Sequence, residues 1–144
     1  MKTKSRVLFA VLAVLMLISL TACKDNTDVS QEASLWDDAT YTQDTQLGEG
    51  DKTVEVEVKA EDKSITFTVK TNAETLADAL LEHSLIEGED SQYGIYIKKV
   101  NGIQADYETD GYYWSLLKNG EYLMTGADTT SISSGEHYEL VRTK

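Results

Sequence analysis

The chain has 144 residues, one cysteine, no proline, and 25 Asp+Glu against 13 Lys+Arg, a formal net charge of −12. That charge works against nucleic acid and anionic membrane surfaces as partners. A single cysteine excludes an intramolecular disulfide framework.

Residues 1–22 place three cations, Lys2, Lys4 and Arg6, before an unbroken apolar run from Val7 to Leu17. Small residues Thr21 and Ala22 then precede Cys23. This is the order of a signal peptide: a charged start, an apolar middle too short to span a bilayer, and a small-residue cut. Leu20-Thr21-Ala22-Cys23 fits the lipoprotein version of the cut, so Cys23 is the predicted new N-terminus and lipidation site. A diacylglyceryl group on Cys23 would anchor the chain without a spanning helix. Loss of the three leader cations leaves 122 residues with 10 Lys+Arg and 25 Asp+Glu, a formal charge of −15.

Residues 23–50 are polar and acidic, without sustained apolar periodicity, and are expected to be a flexible tether. Leu35-Trp36 is its one apolar spot, with the isolated tryptophan read as exposed. Residues 51–144 are predicted to form a single domain. Strict alternation over Thr53–Val58 places Val54, Val56 and Val58 on one face, and Ser64–Val69 repeats the pattern with Ile65, Phe67 and Val69. The two segments are a predicted hairpin. The period then changes: Thr75 precedes Leu76, Ala79 and Leu80 at helical spacing, with Asp78 three residues on, predicting a helix over Thr75–His83.

Gly88 within Glu87-Gly88-Glu89-Asp90 is read as a loop, and Tyr93–Val100 as a strand ending in the turn Asn101-Gly102. Tyr112–Leu117 and Glu121–Met124 are predicted strands joined by Asn119-Gly120, and His137–Val141 closes the chain after Ser133-Ser134-Gly135. Two strands, one helix and three or four further strands predict an α+β protein of β-grasp, ubiquitin-like type: one mixed sheet with the helix packed on one face.

Neither histidine, His83 or His137, lies in a nucleophile–base motif, a phosphate-cradling loop or zinc-type spacing, so an enzyme is not expected. Two acidic runs, Glu87/Glu89/Asp90 and Asp106/Glu108/Asp110, offer oxygen ligands for calcium, though neither has EF-hand spacing. Aromatic residues concentrate at Tyr112, Tyr113 and Trp114, and the polar loop around Gly126, Asp128 and Thr129 follows the next strand. Alternation sends Tyr112 and Trp114 to one side and Tyr113 to the other, so one set is core. Tyr112, Tyr113 and Trp114, with Gly126, Asp128 and Thr129 of the loop, are the predicted ligand-binding residues.

Thr75-Leu76-Ala77-Asp78-Ala79-Leu80-Leu81, Gly94-Ile95-Tyr96-Ile97 with Val100-Asn101-Gly102, Tyr113-Trp114-Ser115-Leu116 with Asn119-Gly120, and Gly126, Ile132 and Gly135-Glu136 stand in the order of a bacterial family. Over Asp51–Lys144 the chain resembles the transcobalamin-like C-terminal domains of bacterial cell-surface proteins. The resemblance implies a β-grasp fold and one wall of a corrinoid site, the other wall being a helical domain that this chain lacks. The resulting expectation is a membrane-anchored extracytoplasmic lipoprotein that binds a small ligand, with a corrinoid as candidate and a transporter or surface protein as partner. Two alternatives stay open: a protein-docking or adhesion module without a small ligand, and calcium binding through the acidic loops.

Overall fold

The computed structural model describes residues 33–144, which form one compact unit. The expected signal peptide, Cys23 and residues 24–32 of the expected tether lie outside the described residues. Nine strands are distributed over two sheets. They are β1 Thr45–Leu47, β2 Lys52–Ala60, β3 Lys63–Thr71, β4 Ile86–Ser91, β5 Gly94–Val100, β6 Ile103–Gln104, β7 Tyr113–Lys118, β8 Glu121–Tyr122 and β9 His137–Thr143. Helix α1 spans Leu76–Leu81, and a single turn, α2, spans Tyr107–Asp110. The larger sheet has the order β1-β3-β2-β9-β7-β8 and the smaller β4-β5-β6. The fold is therefore mixed α+β with a large mixed sheet and little helix.

Period-2 alternation decides the inner face of the large sheet. Val54 pairs with Val69, Val56 with Phe67 and Val58 with Ile65 across the antiparallel β2–β3 hairpin, and all six are buried. Strand β9 returns parallel to β2, setting Tyr138 opposite Val56 and Leu140 opposite Val58, and continues the same buried stripe. Leu76, Ala77, Ala79 and Leu80 of α1 are buried in this core. Thr75 caps the helix by accepting the Asp78 N–H at 3.2 Å. The next free donors find carbonyls in the β8–β9 loop, Leu76 N–H to Thr130 and Ala77 N–H to Ala127, each at 2.9 Å. The predicted helix thus forms two residues shorter at its C-terminus than expected.

Both Asn-Gly pairs make turns: Asn101 and Asn119 each have φ 51°, and Gly102 and Gly120 each φ 82°, the left-handed pair that a two-residue hairpin needs. Elsewhere the structure departs from the expectations. Glu87–Asp90 is not a loop but most of β4, which pairs with β5 through an irregularity between Glu87 and Gly88. As a sheet edge it is solvated on its open side and needs no apolar alternation. A second sheet consequently replaces the single one expected. The acidic run Asp106–Asp110 contains α2, with Asp106 accepting the Glu108 N–H at 3.2 Å.

The largest correction concerns residues 33–50, which pack on the domain instead of forming tether. Ser34 caps a single 3-10 turn, Leu35–Asp37, through a capping box. Trp36 is buried, its Nε1–H donates to the Ala60 carbonyl at 3.0 Å, and the Lys63 ammonium lies 4.6 Å from its ring. Tyr41 meets Phe67 edge-on at 5.5 Å, and its backbone is clamped by both side-chain amide atoms of buried Asn101. β1 then adds in parallel to β3. One buried tryptophan, one half-buried tyrosine and one short strand suffice to order a segment whose composition is otherwise that of a linker.

Candidate ligand-binding surface

Alternation along β7 divides the aromatic run between two faces. Trp114 faces inward and is buried, opposite Arg142 of β9, with its indole Nε1–H finding no protein acceptor. Tyr113 faces outward and is 37% exposed. Tyr112 is half-buried beneath the Arg142 guanidinium, 3.7 Å from the ring centroid. Arg142 is held in place by the Gln104 carbonyl and by Asp110, both at 2.9 Å. Burial works to raise the Asp110 carboxyl, but the N–H groups of Tyr112 and Asp106 and the Arg142 guanidinium outweigh it and hold the group below its ordinary range. Tyr112 and Trp114 therefore stabilise the fold, and only Tyr113 of the three offers an open face.

The Gly126–Thr129 loop is at once a structural clamp and a surface. Thr129 uses its N–H and its hydroxyl on the Gly126 carbonyl, each at 3.2 Å, and Thr130 adds its hydroxyl at 2.8 Å. The Thr129 and Thr130 hydroxyl protons are used inside the loop, which leaves the exposed Thr129 oxygen as an acceptor only. Asp128 differs. Its carboxylate lies against two glycine backbones, Gly94 and Gly126, where a Cβ at either position would collide with it. Gly94 also has φ 103°, a conformation that side chains other than glycine rarely adopt.

This contact joins the β8–β9 loop to the turn between β4 and β5. At that turn Ser91 Oγ donates to the Gly94 carbonyl at 2.6 Å and receives the Tyr93 N–H at 3.1 Å. Tyr93 is left 84% exposed, and Met124, two residues before Gly126, is 96% exposed. The Asp128 contact brings Gly94 and Gly126 together with the Tyr93 carbonyl close by, and with Met124 two residues away in sequence these form the candidate surface. The composition-led choice of Tyr112 and Trp114 missed Tyr93 and Met124. Tyr93, expected as the first residue of a strand in step with Ile95 and Ile97, instead sits in the turn before β5.

The surface is open. Two larger grooves lie elsewhere, one along Ser34, Trp36, Glu61, Asp62 and Lys63 and another across Asp44, Thr45, Glu55, Thr66, Thr68 and His137. The acidic runs are dispersed into ion pairs and caps: Glu87 with Lys99 and Glu89 with Lys98, each at 3.1 Å, and Asp110 with Arg142. Among the described residues no group of three or more His, Cys, Asp or Glu side chains converges to hold a metal ion.

The family described as domain of unknown function DUF4430 matches residues 73–138. A structure from Ruminococcus gnavus ATCC 29149, provisionally described as a metal-binding protein, superposes with TM-score 0.62 at 30% identity over 65% of this chain and 98% of that one. Haptocorrin in complex with cobinamide superposes with TM-score 0.53 at 26% identity over 65% of this chain. This chain spans only 25% of the haptocorrin chain. No curated protein matches the sequence.

Proposed function

This chain belongs to the DUF4430 family of transcobalamin-like domains, and on that premise we propose that it is a ligand-binding module presenting one wall of a site for a corrinoid or a related flat cofactor. The observation that carries the reading is the contact between two turns, where the Asp128 carboxylate is set between Gly94 and Gly126 and their sequence neighbours Tyr93 and Met124 are exposed. An aromatic face and a thioether suit the edge and face of a macrocycle, and the carboxylate accepts hydrogen bonds from amide donors at its rim. A well-formed small-molecule site usually encloses about 70–90% of its ligand. One wall encloses far less, so binding by this chain alone is weak, and a second body, a transporter or another surface protein, completes the enclosure.

The fold is read as a β-grasp. The order β3-β2-β9-β7-β8, with the hairpin before α1 and β9 parallel to β2, supports it. The chain is placed outside the cytoplasm and held to the membrane by lipid on Cys23; the Leu20–Cys23 lipobox after an apolar leader supports this placement. Cys23→Ala releases the protein from the membrane fraction, and retention of that variant would overturn the anchor.

The test is thermal unfolding of the chain from Ala33 onward in the presence of cobinamide, with calcium as the comparison. A ligand that binds only the folded state adds about 2.7 kcal/mol at about a hundred times its dissociation constant. A saturable shift with cobinamide that is lost in Tyr93→Ala or Met124→Ala is the expected result. A shift with calcium alone transfers the function to the acidic residues. No shift with either rejects the small-ligand reading in favour of protein docking.

A further inference from the structure

A sheet edge is a row of backbone N–H and C=O groups with no strand to pair with, and proteins commonly shorten such edges to prevent unwanted pairing. Among the described residues three of the four edges are short: β1 has three residues, and β6 and β8 have two each. The fourth, β4, has six. Among the described residues it pairs with β5 on one side only, and every residue from Glu87 to Ser91 is exposed; an open groove of about 260 Å³ runs over the same sheet, lined by Glu87, Gly88 and Glu89 of β4, Lys98 and Lys99 of β5 and Gln104 of β6.

We propose that β4 is a docking edge that takes an extended polypeptide segment bearing cationic side chains, added as a fourth strand to the small sheet. Main-chain hydrogen bonds supply the attachment in this mode, and side chains select the partner. Selection here is electrostatic. The β4 side chains include Glu87, Glu89 and Asp90. Glu87 and Glu89 remain 62% and 71% exposed despite their lysine partners, and Asp90 forms no ion pair among the described residues. A second copy of this chain would bring the same three carboxylates to the pairing, and like charges across a strand pair are destabilising. Self-association through β4 is thereby disfavoured while a lysine- or arginine-bearing strand is favoured. The inference is independent of the cofactor platform, since no residue of β4 belongs to it.

The test uses the chain from Ala33 onward and a fluorescent peptide of alternating Lys and Val, titrated by anisotropy. Controls are the same peptide N-methylated at alternate residues, a Glu/Val counterpart, and the triple variant Glu87→Gln/Glu89→Gln/Asp90→Asn. Saturable binding of the Lys/Val peptide, with amide exchange slowed across 87–91, is expected. That binding should be lost with the N-methylated peptide, the Glu/Val peptide and the triple variant, and kept in Tyr93→Ala. Equal binding of the N-methylated peptide would reduce the effect to unspecific charge attraction and overturn the proposal, as would no binding or protection confined to another strand.

Discussion

Trp36 and Gly94 each do work that their sequence neighbourhoods do not announce. Trp36 sits in an acidic, aperiodic stretch, and its partners, the Ala60 carbonyl and the Lys63 ammonium, are more than twenty residues away. Burial of this kind is a property of the tertiary contact and has no local pattern to betray it. Trp36→Ala removes a large buried side chain and its hydrogen bond, so a loss of about 3 kcal/mol is expected by denaturant unfolding. A change within about 0.5 kcal/mol would mean that the indole is not anchored. Gly94→Ala meets two obstacles, the positive φ and the Asp128 carboxylate. It is expected to lower stability by about 1–2 kcal/mol and to weaken ligand binding, because the carboxylate must move. Asp128→Asn at unchanged stability separates the two effects: weakened binding there assigns the carboxylate to the ligand.

The elements divide according to how much of their surroundings they carry in sequence. Strands β2 and β3, half-buried on a sheet with one core face, must alternate, and the residues expected inward are the ones found there. Helix α1 announced itself by its cap and by Leu76, Ala79 and Leu80 at helical spacing. β4, polar on an open edge, has no such signature and was legible only after its pairing with β5 was seen. The platform was half legible for the same reason: the Gly126 loop stood out by composition, whereas Tyr93 joins it through a contact between two turns distant in sequence. Glu136 immediately precedes strand β9. Burial tends to raise the Glu136 carboxyl. Hydrogen bonds from Lys118 and Tyr138, both at 2.6 Å, and from the Ser133 N–H at 2.8 Å outweigh burial and bring it from 4.5 to about 2. A depressed carboxyl contributes stability that is full above its unfolded value and lost as pH falls through the folded one. Unfolding free energy should therefore decline between about pH 4.5 and 2. Glu136→Gln should flatten that decline, and an unchanged slope would remove this group from the account.

At the scale of the molecule, the domain begins earlier than its composition indicates. Residues 33–50 contribute Trp36, Tyr41 and β1 to the packed unit, touching β3 and the β5–β6 turn. A chain starting at Asp51 is expected to melt well below one starting at Ala33. Equal midpoints would show that the segment is an accessory. The two-sheet architecture also explains why the platform and the β4 edge can coexist: the platform uses the turn that follows β4, while the edge uses its main chain. The central claim is that ligand binds at the platform of Tyr93, Met124 and the Gly126–Asp128 loop. Its most direct test is residue-resolved amide NMR of the chain from Ala33 onward during titration with cobinamide. The account predicts saturable shifts confined to residues around 92–95 and 123–129. Shifts centred instead on the outer face of β7 and β9, or no shifts at all, would contradict it.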